Sequence, residues 1–167
     1  MKTIILTGMM GAGKTTIAHI LGEKLNIKSI DIDTLIEQNE GEKISEIFSN
    51  KGEEYFRKIE KETIRNIFTP DPENLVISLG GGALENPETR EFLLNNSTVI
   101  YLKTSPKIIY ERIKNNTSRP LLCDNMSVEK ITEILEKREA NYQSATITIT
   151  TDNKTPNQIA EEIIGVL

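Results

Sequence analysis

The first chemical signal lies near the start of the chain, where Gly8-Met9-Met10-Gly11-Ala12-Gly13-Lys14-Thr15 fits G-x-x-x-x-G-K-[ST]. Glycines at those positions let a backbone wrap around phosphate oxygens with its N–H groups pointing inward. The lysine reaches the outer phosphates, and the threonine hydroxyl is a hard oxygen donor suited to Mg²⁺. The following helix adds the partial positive charge of its N-terminus. Two other groups stand where ligands of α/β sheets collect. Asp31-Ile32-Asp33 is expected to end the second strand, and Gly80-Gly81-Gly82 to follow the third. Taken alone, the aspartates suit a helix cap for Thr34 onward equally well, and the glycines a plain turn.

A phosphate loop serves switches, kinases and passive ATP modules alike. A GTPase should add D-x-x-G and N-K-x-D, but no aspartate here has a glycine three residues on, and Asn153-Lys154-Thr155-Pro156 lacks the final Asp. A small-molecule kinase needs an acceptor site, an orienting carboxylate and a cation over the transferring phosphoryl group. Gluconate-type or nucleoside monophosphate-type kinases, and an ATP-binding regulatory module, stay open on these residues alone.

The elements that must position these groups alternate. Thr3 to Thr7, Ser29 to Ile32, Leu75 to Leu79, Thr98 to Leu102 and Thr146 to Thr150 read as strands, several apolar on consecutive residues as covered parallel strands are. Ile17, Leu21 and Leu25 lie four apart, and Phe56, Ile59, Thr63 and Ile67 continue a second helical stripe. Asn86-Pro87, Ser105-Pro106 and Thr155-Pro156 each place a capping residue before a proline, the last adding the Gln158 of a capping box. The alternation predicts a three-layer α/β sandwich with a five-stranded parallel sheet. Residues 34–68 hold no strand and read as a helical insertion. The polar stretch 117–127 reads as a loop of the kind that forms lids.

Composition narrows the class further. The chain has 167 residues and a formal net charge of −5, which suits one domain and argues against a nucleic-acid binder. One cysteine, Cys123, points to a reducing compartment and a packing role. No apolar run approaches membrane-spanning length, so a cytoplasmic protein is expected. With no leftover apolar stripe, a monomer is expected too. His19, Phe48, Phe56, Met9 and Met10 take packing or surface readings, and one His with one Cys excludes a structural zinc site.

Taken in order, G-x-M-G-A-G-K-T, D-I-D, F-R-K-I-E, S-L-G-G-G-A, R-P-L-L and K-R-E-x-x-Y resemble the shikimate kinases, and the resemblance runs from Gly8 to Tyr142. It implies one domain over 1–167, sheet order 2-3-1-4-5, a shikimate-binding insertion at 34–68 and a lid at 117–127. The implied reaction is phosphorylation of the shikimate 3-hydroxyl by ATP with Mg²⁺. By motif, Gly11, Ala12, Gly13, Lys14, Thr15 and Thr16 bind ATP, and Thr15 with Asp31 (through water) holds the metal. Asp33 orients or deprotonates the acceptor hydroxyl. Arg57 and Arg138 clamp the acceptor carboxylate, and Gly80, Gly81 and Gly82 approach its ring. Arg119 lies over the phosphates, while Arg112 and Asn153 flank the adenine. Four of the six arginines therefore fall at expected ligand positions on an acidic chain.

Overall fold

The computed structural model describes residues 2–69, 74–114 and 126–167. Its strands are β1 (Ile4–Thr7), β2 (Lys28–Asp31), β3 (Leu75–Ser78), β4 (Thr98–Lys103) and β5 (Ile147–Thr150). They form one parallel sheet in the order β2-β3-β1-β4-β5. Central β1 sets the register, with Ile5 opposite both Ile77 and Val99. Among the described residues the helices are α1 (Lys14–Leu25), α2 (Ile32–Glu40), α3 (Ile44–Ile67), α4 (Pro87–Asn96), α5 (Pro106–Ile113), α6 (Val128–Tyr142) and α7 (Pro156–Val166).

Alternation along β1 builds the layers, because successive strand side chains point to opposite faces. Ile4 and Leu6 pack with Ile17 and Leu21 of α1 and with Ile159 and Ile163 of α7. Ile5 turns the other way, joining Ile77, Val99 and Tyr101 against Phe56 and Ile64 of α3, Leu93 of α4 and Tyr142 of α6. A third cluster, Met9, Met10, Ile109, Ile113 and Ile131, packs the phosphate loop against α5 and α6. The methionines therefore take the packing role expected of them. His19 is exposed and pairs with Glu23 one turn on.

Helix starts follow the capping residues with one exception. Asn86 accepts from the Thr89 N–H, and Thr155 and Gln158 close a reciprocal box. Ser105 makes no side-chain cap; its own N–H instead donates to Asp152 Oδ1 at 3.0 Å, tying the start of α5 to the turn after β5. The second strand also ends earlier than expected. Asp31 is its last residue and the N-cap of α2, so Ile32 and Asp33 open a helix. Residues 34–68 hold most of α2, a short connection at Gly41 and α3, which is kinked at Gly52, whose φ of 82° and ψ of 169° leave the helical region.

The sheet's C-terminal edge is braced by the buried hydroxyls of Thr104 and Thr151, 2.6 Å apart. Thr151→Val strands the Thr104 hydroxyl in the interior, whereas Thr151 has a longer contact of its own with the Lys103 carbonyl at 3.4 Å. An expected loss of about 1–3 kcal/mol follows, read from denaturant melts. The double variant Thr104→Val/Thr151→Val should recover most of that loss, because replacing both partners removes the unmet bond. A Thr151→Val variant as stable as the wild type would dismiss the brace.

Candidate functional site

The loop between β1 and α1 is shaped by its glycines. Gly11 and Gly13 have φ of 80° and 92°, left-handed values that side-chain-bearing residues rarely hold. Gly13 is the N-cap of α1. Lys14 folds back over the loop, donating to the Gly8 and Met9 carbonyls at 2.8 and 3.0 Å. The Ala12 methyl is fully buried in the core and its N–H donates to the Met9 carbonyl. Any part Ala12 plays in binding is through the backbone.

A cleft of about 760 Å³ opens beside this loop. Gly11, Gly13, Lys14, Thr15 and Thr16 line one end, and Asp33, Arg57, Gly80, Gly81, Gly82 and Arg138 the other. Asp31 stands between them. Its Oδ2 accepts from Thr15 Oγ1 at 2.6 Å, and its Oδ1 from the N–H and hydroxyl of Thr34 at 3.0 and 3.1 Å. Asp31 is therefore a helix cap and a loop partner at once. Burial alone would raise its pKa, but these bonds, with one from Ser78, outweigh it and hold the carboxyl below its ordinary value. Ser78 Oγ lies 3.5 Å from Thr15 Oγ1, so three oxygen groups gather beside the loop.

At the far end the chain packs charge tightly. Arg57 Nη1 donates to Glu60 Oε2 at 2.7 Å, and its Nε lies 3.6 Å from Glu53. Glu60 is 3% exposed, and its Oε1 has no hydrogen-bond partner among the described residues. Burial pushes the Glu60 carboxyl up; Arg57 pulls it back, while Asp33 and Glu85 push it further up. Burial works against the Arg57 charge, but Glu60, Glu53 and Glu85 together hold its pKa above the usual value. Arg138 pairs through Nε with Glu85, the last residue of a single 3₁₀ turn, Ala83–Glu85.

Gly80 and Gly82 fit between these groups because they lack side chains. A Cβ on Gly80 would stand 2.7 Å from Glu60 Oε1 and 2.9 Å from Asp33 Oδ1. One on Gly82 would meet the Arg57 guanidinium, with Cζ at 2.9 Å. Phe48 and Phe56 form the adjoining wall, their rings 4.8 Å apart.

Some expected site residues fall elsewhere. Arg112 does not line the cleft; its Nη1 donates to the Gly11 carbonyl at 3.0 Å, beside the phosphate loop. Asn153 also stands outside the cleft, in the turn after β5, with a left-handed φ of 60°. Arg119, Cys123 and nearly all of the stretch 117–127 lie outside the described residues. In the other direction, sequence reasoning gave no role to Glu60, Ser78, Glu85 or Tyr142. Glu60 did leave a signal: a carboxylate in the i, i+4, i+8 row between Phe56 and Ile64, which is the buried row of α3.

Known proteins resemble this chain in sequence and fold over nearly its full length. A family model described as shikimate kinase matches residues 10–167. The shikimate kinase of a Sulfurihydrogenibium species is 46% identical over 98% of this chain and 96% of its own length. That of Persephonella marina is 44% identical over 99% and 98%. Among solved structures, shikimate kinase from Acinetobacter baumannii in complex with shikimate superposes with a TM-score of 0.94 at 33% identity, covering 99% of this chain and 92% of that one. The likeness covers nearly the whole chain in both sequence and fold, and the chain belongs to the shikimate kinase family.

Proposed function

We propose that this chain transfers the γ-phosphoryl group of ATP to the 3-hydroxyl of shikimate, giving ADP and shikimate 3-phosphate on the route to chorismate and aromatic amino acids. The observation that carries this reading is the convergence of two arginines, a carboxylate and a glycine turn on one cleft that begins at the phosphate loop. An arginine fork pairs with a carboxylate through two parallel bonds, so Arg57 and Arg138 suit the acceptor's acid group. Asp33 suits its ring hydroxyls. Glycine N–H groups come close to the ring where a side chain would block them.

In this reading the loop glycines and Lys14 cradle the phosphates, with Lys14 exchanging its bonds to the Gly8 and Met9 carbonyls for phosphate oxygens. Asp33 orients the attacking hydroxyl and accepts its proton. Phosphoryl transfer demands mainly positioning and charge neutralisation, which suits rigid groups at both ends of one cleft. The oxygens of Thr15, Asp31 and Ser78 fit a hard cation, so Thr15 would hold Mg²⁺, with Asp31 acting through water. When bound, that ion supplies neutralisation of phosphate charge. Arg119 is proposed to cover the phosphates from the lid at 117–127, and Arg112 and Asn153 to flank the adenine. The whole of 1–167 would act as one cytoplasmic, monomeric domain with 34–68 as its substrate insertion. No described helix is long and apolar enough to cross a membrane.

Protein incubated with ATP, Mg²⁺ and shikimate should release one ADP for each shikimate consumed. ADP release that does not rise above the ATP-only control would overturn the reading.

A further inference from the structure

We infer that Glu85 and Tyr142 are positioning residues at the Arg138 end of the cleft. Glu85 holds the Nε edge of the guanidinium and Tyr142 fixes the Gly81 carbonyl beside it, so that the other edge of Arg138 faces the acceptor carboxylate. The inference rests on Arg138 serving as half of the carboxylate clamp.

The geometry has two parts. Glu85 takes the Nε edge of Arg138. A guanidinium is one rigid plane, so committing Nε sets the direction of both terminal nitrogens. Nη1 then lies 3.5 Å from where a Gly81 side chain would begin, on the cleft side of the glycine turn. Glu85 follows Gly82 by three residues in the same turn, so the pair also draws Arg138 onto the segment that lines the acceptor end.

Tyr142 supplies the second part. It is buried, its ring stacks on Tyr101 with centroids 5.0 Å apart, and its hydroxyl donates to the Gly81 carbonyl at 2.5 Å. Tyr101 is itself anchored, donating to Glu139 at 2.8 Å. A tyrosine hydroxyl has one proton and two lone pairs, so giving its proton to Gly81 leaves only accepting capacity toward Arg138. Burial pushes the Tyr142 hydroxyl up to about 12 against the pull of the neighbouring Arg138 charge, which keeps it a donor at any working pH. One side chain rooted in the core thus fixes the Gly81 carbonyl in the turn that faces Arg138.

The bonds of Glu85 and Tyr142 go to Arg138 and to the Gly81 carbonyl rather than to the phosphate loop, although Gly81 itself adjoins that loop, a Cβ there standing 3.5 Å from Met10 N and 3.6 Å from the Gly8 carbonyl oxygen. An arginine already held in place loses less freedom when the acceptor arrives. Without Glu85 that ordering falls on the binding step, and KM for shikimate should rise about three- to tenfold. KM for ATP and kcat should stay within about twofold, the pattern expected when binding is lost equally from ground and transition states.

Steady-state kinetics of Glu85→Ala, Glu85→Gln and Tyr142→Phe test the inference. Glu85→Gln keeps an acceptor for Nε and should fall between Glu85→Ala and the wild type. Tyr142→Phe keeps the ring stack, deletes only the hydroxyl, and should show the same split between the two substrates. An unchanged KM for shikimate in Glu85→Ala or Tyr142→Phe would overturn the inference, and so would a parallel rise in both KM values. A lower KM in Glu85→Ala would make Glu85 a competitor for Arg138, which also overturns it. The wild type run alongside separates the two levels, since a wild type inactive with shikimate fails the functional reading itself.

Discussion

Asp33→Asn is expected to lower kcat by about 10²–10⁴-fold, the range for losing a positioned proton acceptor, with both KM values changed only a few-fold. The side chain opens α2 and lines the cleft beside Gly80, at the acceptor end. Asparagine keeps its size and one oxygen but accepts no proton and carries no charge. The cleft holds a second carboxylate against which this must be judged. Glu60 lies equally close to Gly80, but its Oε2 is committed to Arg57 and burial raises its pKa. Glu60→Gln preserves an oxygen for Arg57 and should leave kcat within about tenfold. Single-turnover measurements on both variants decide the matter. If Glu60→Gln loses the turnover and Asp33→Asn retains it, the acceptor role passes to Glu60.

The division between what the chain's sequence disclosed and what it concealed is physical. The phosphate loop was legible because its demands are local: glycines with left-handed φ, then a lysine, then a hydroxyl. The strands are legible to within a residue or so because β1, β3 and β4 carry short apolar runs between turn signals and β5 alternates Ile with Thr. The double nature of Asp31 was weighed as two alternatives, helix cap or ligand group, and its two oxygens turn out to face the helix and the loop separately. Ser105 looked like a cap by type, yet Asp152, distant in sequence, takes its N–H. Glu60 closes the F-R-K-I-E motif, yet its role stays hidden for a related reason. The helical stripe read through Phe56, Ile59, Thr63 and Ile67 starts on the buried row but drifts off it, since beyond Phe56 the buried positions are Glu60 and Ile64. A glutamate in that row looks like a break in an apolar face until the three-residue spacing to Arg57 is seen to close an ion pair. Arg138 and Glu85 lie 53 positions apart, and no local pattern announces a contact made by tertiary packing.

Arg57→Ala is expected to have two effects that separate cleanly. The first is on substrate. Losing one charge-assisted clamp of about 1.5–3 kcal/mol should raise KM for shikimate about 10–150-fold, with KM for ATP little changed. The second is on the fold. Arg57 is the hydrogen-bonded partner of a carboxylate that is almost wholly buried, and removing it leaves Glu60 uncompensated. Since the Arg57 side chain keeps 24% exposure, water offsets part of that cost, and about 1–3 kcal/mol of stability should be lost near neutral pH. The pH dependence has a definite sign. A carboxyl whose folded pKa is raised above its ordinary value of 4.5 binds more protons folded than unfolded, so stability falls as pH rises between the two values. Without Arg57 the folded value climbs further. The stability gap between Arg57→Ala and the wild type should therefore narrow as pH is lowered from 8 toward 5. Arg57→Ala/Glu60→Gln removes the buried charge and should recover the stability but not the shikimate affinity. Denaturant melts across that pH range, paired with initial-rate kinetics, read both effects. A double variant that regains affinity along with stability would mean that Arg57 serves the fold alone and that the acceptor's acid group is held elsewhere.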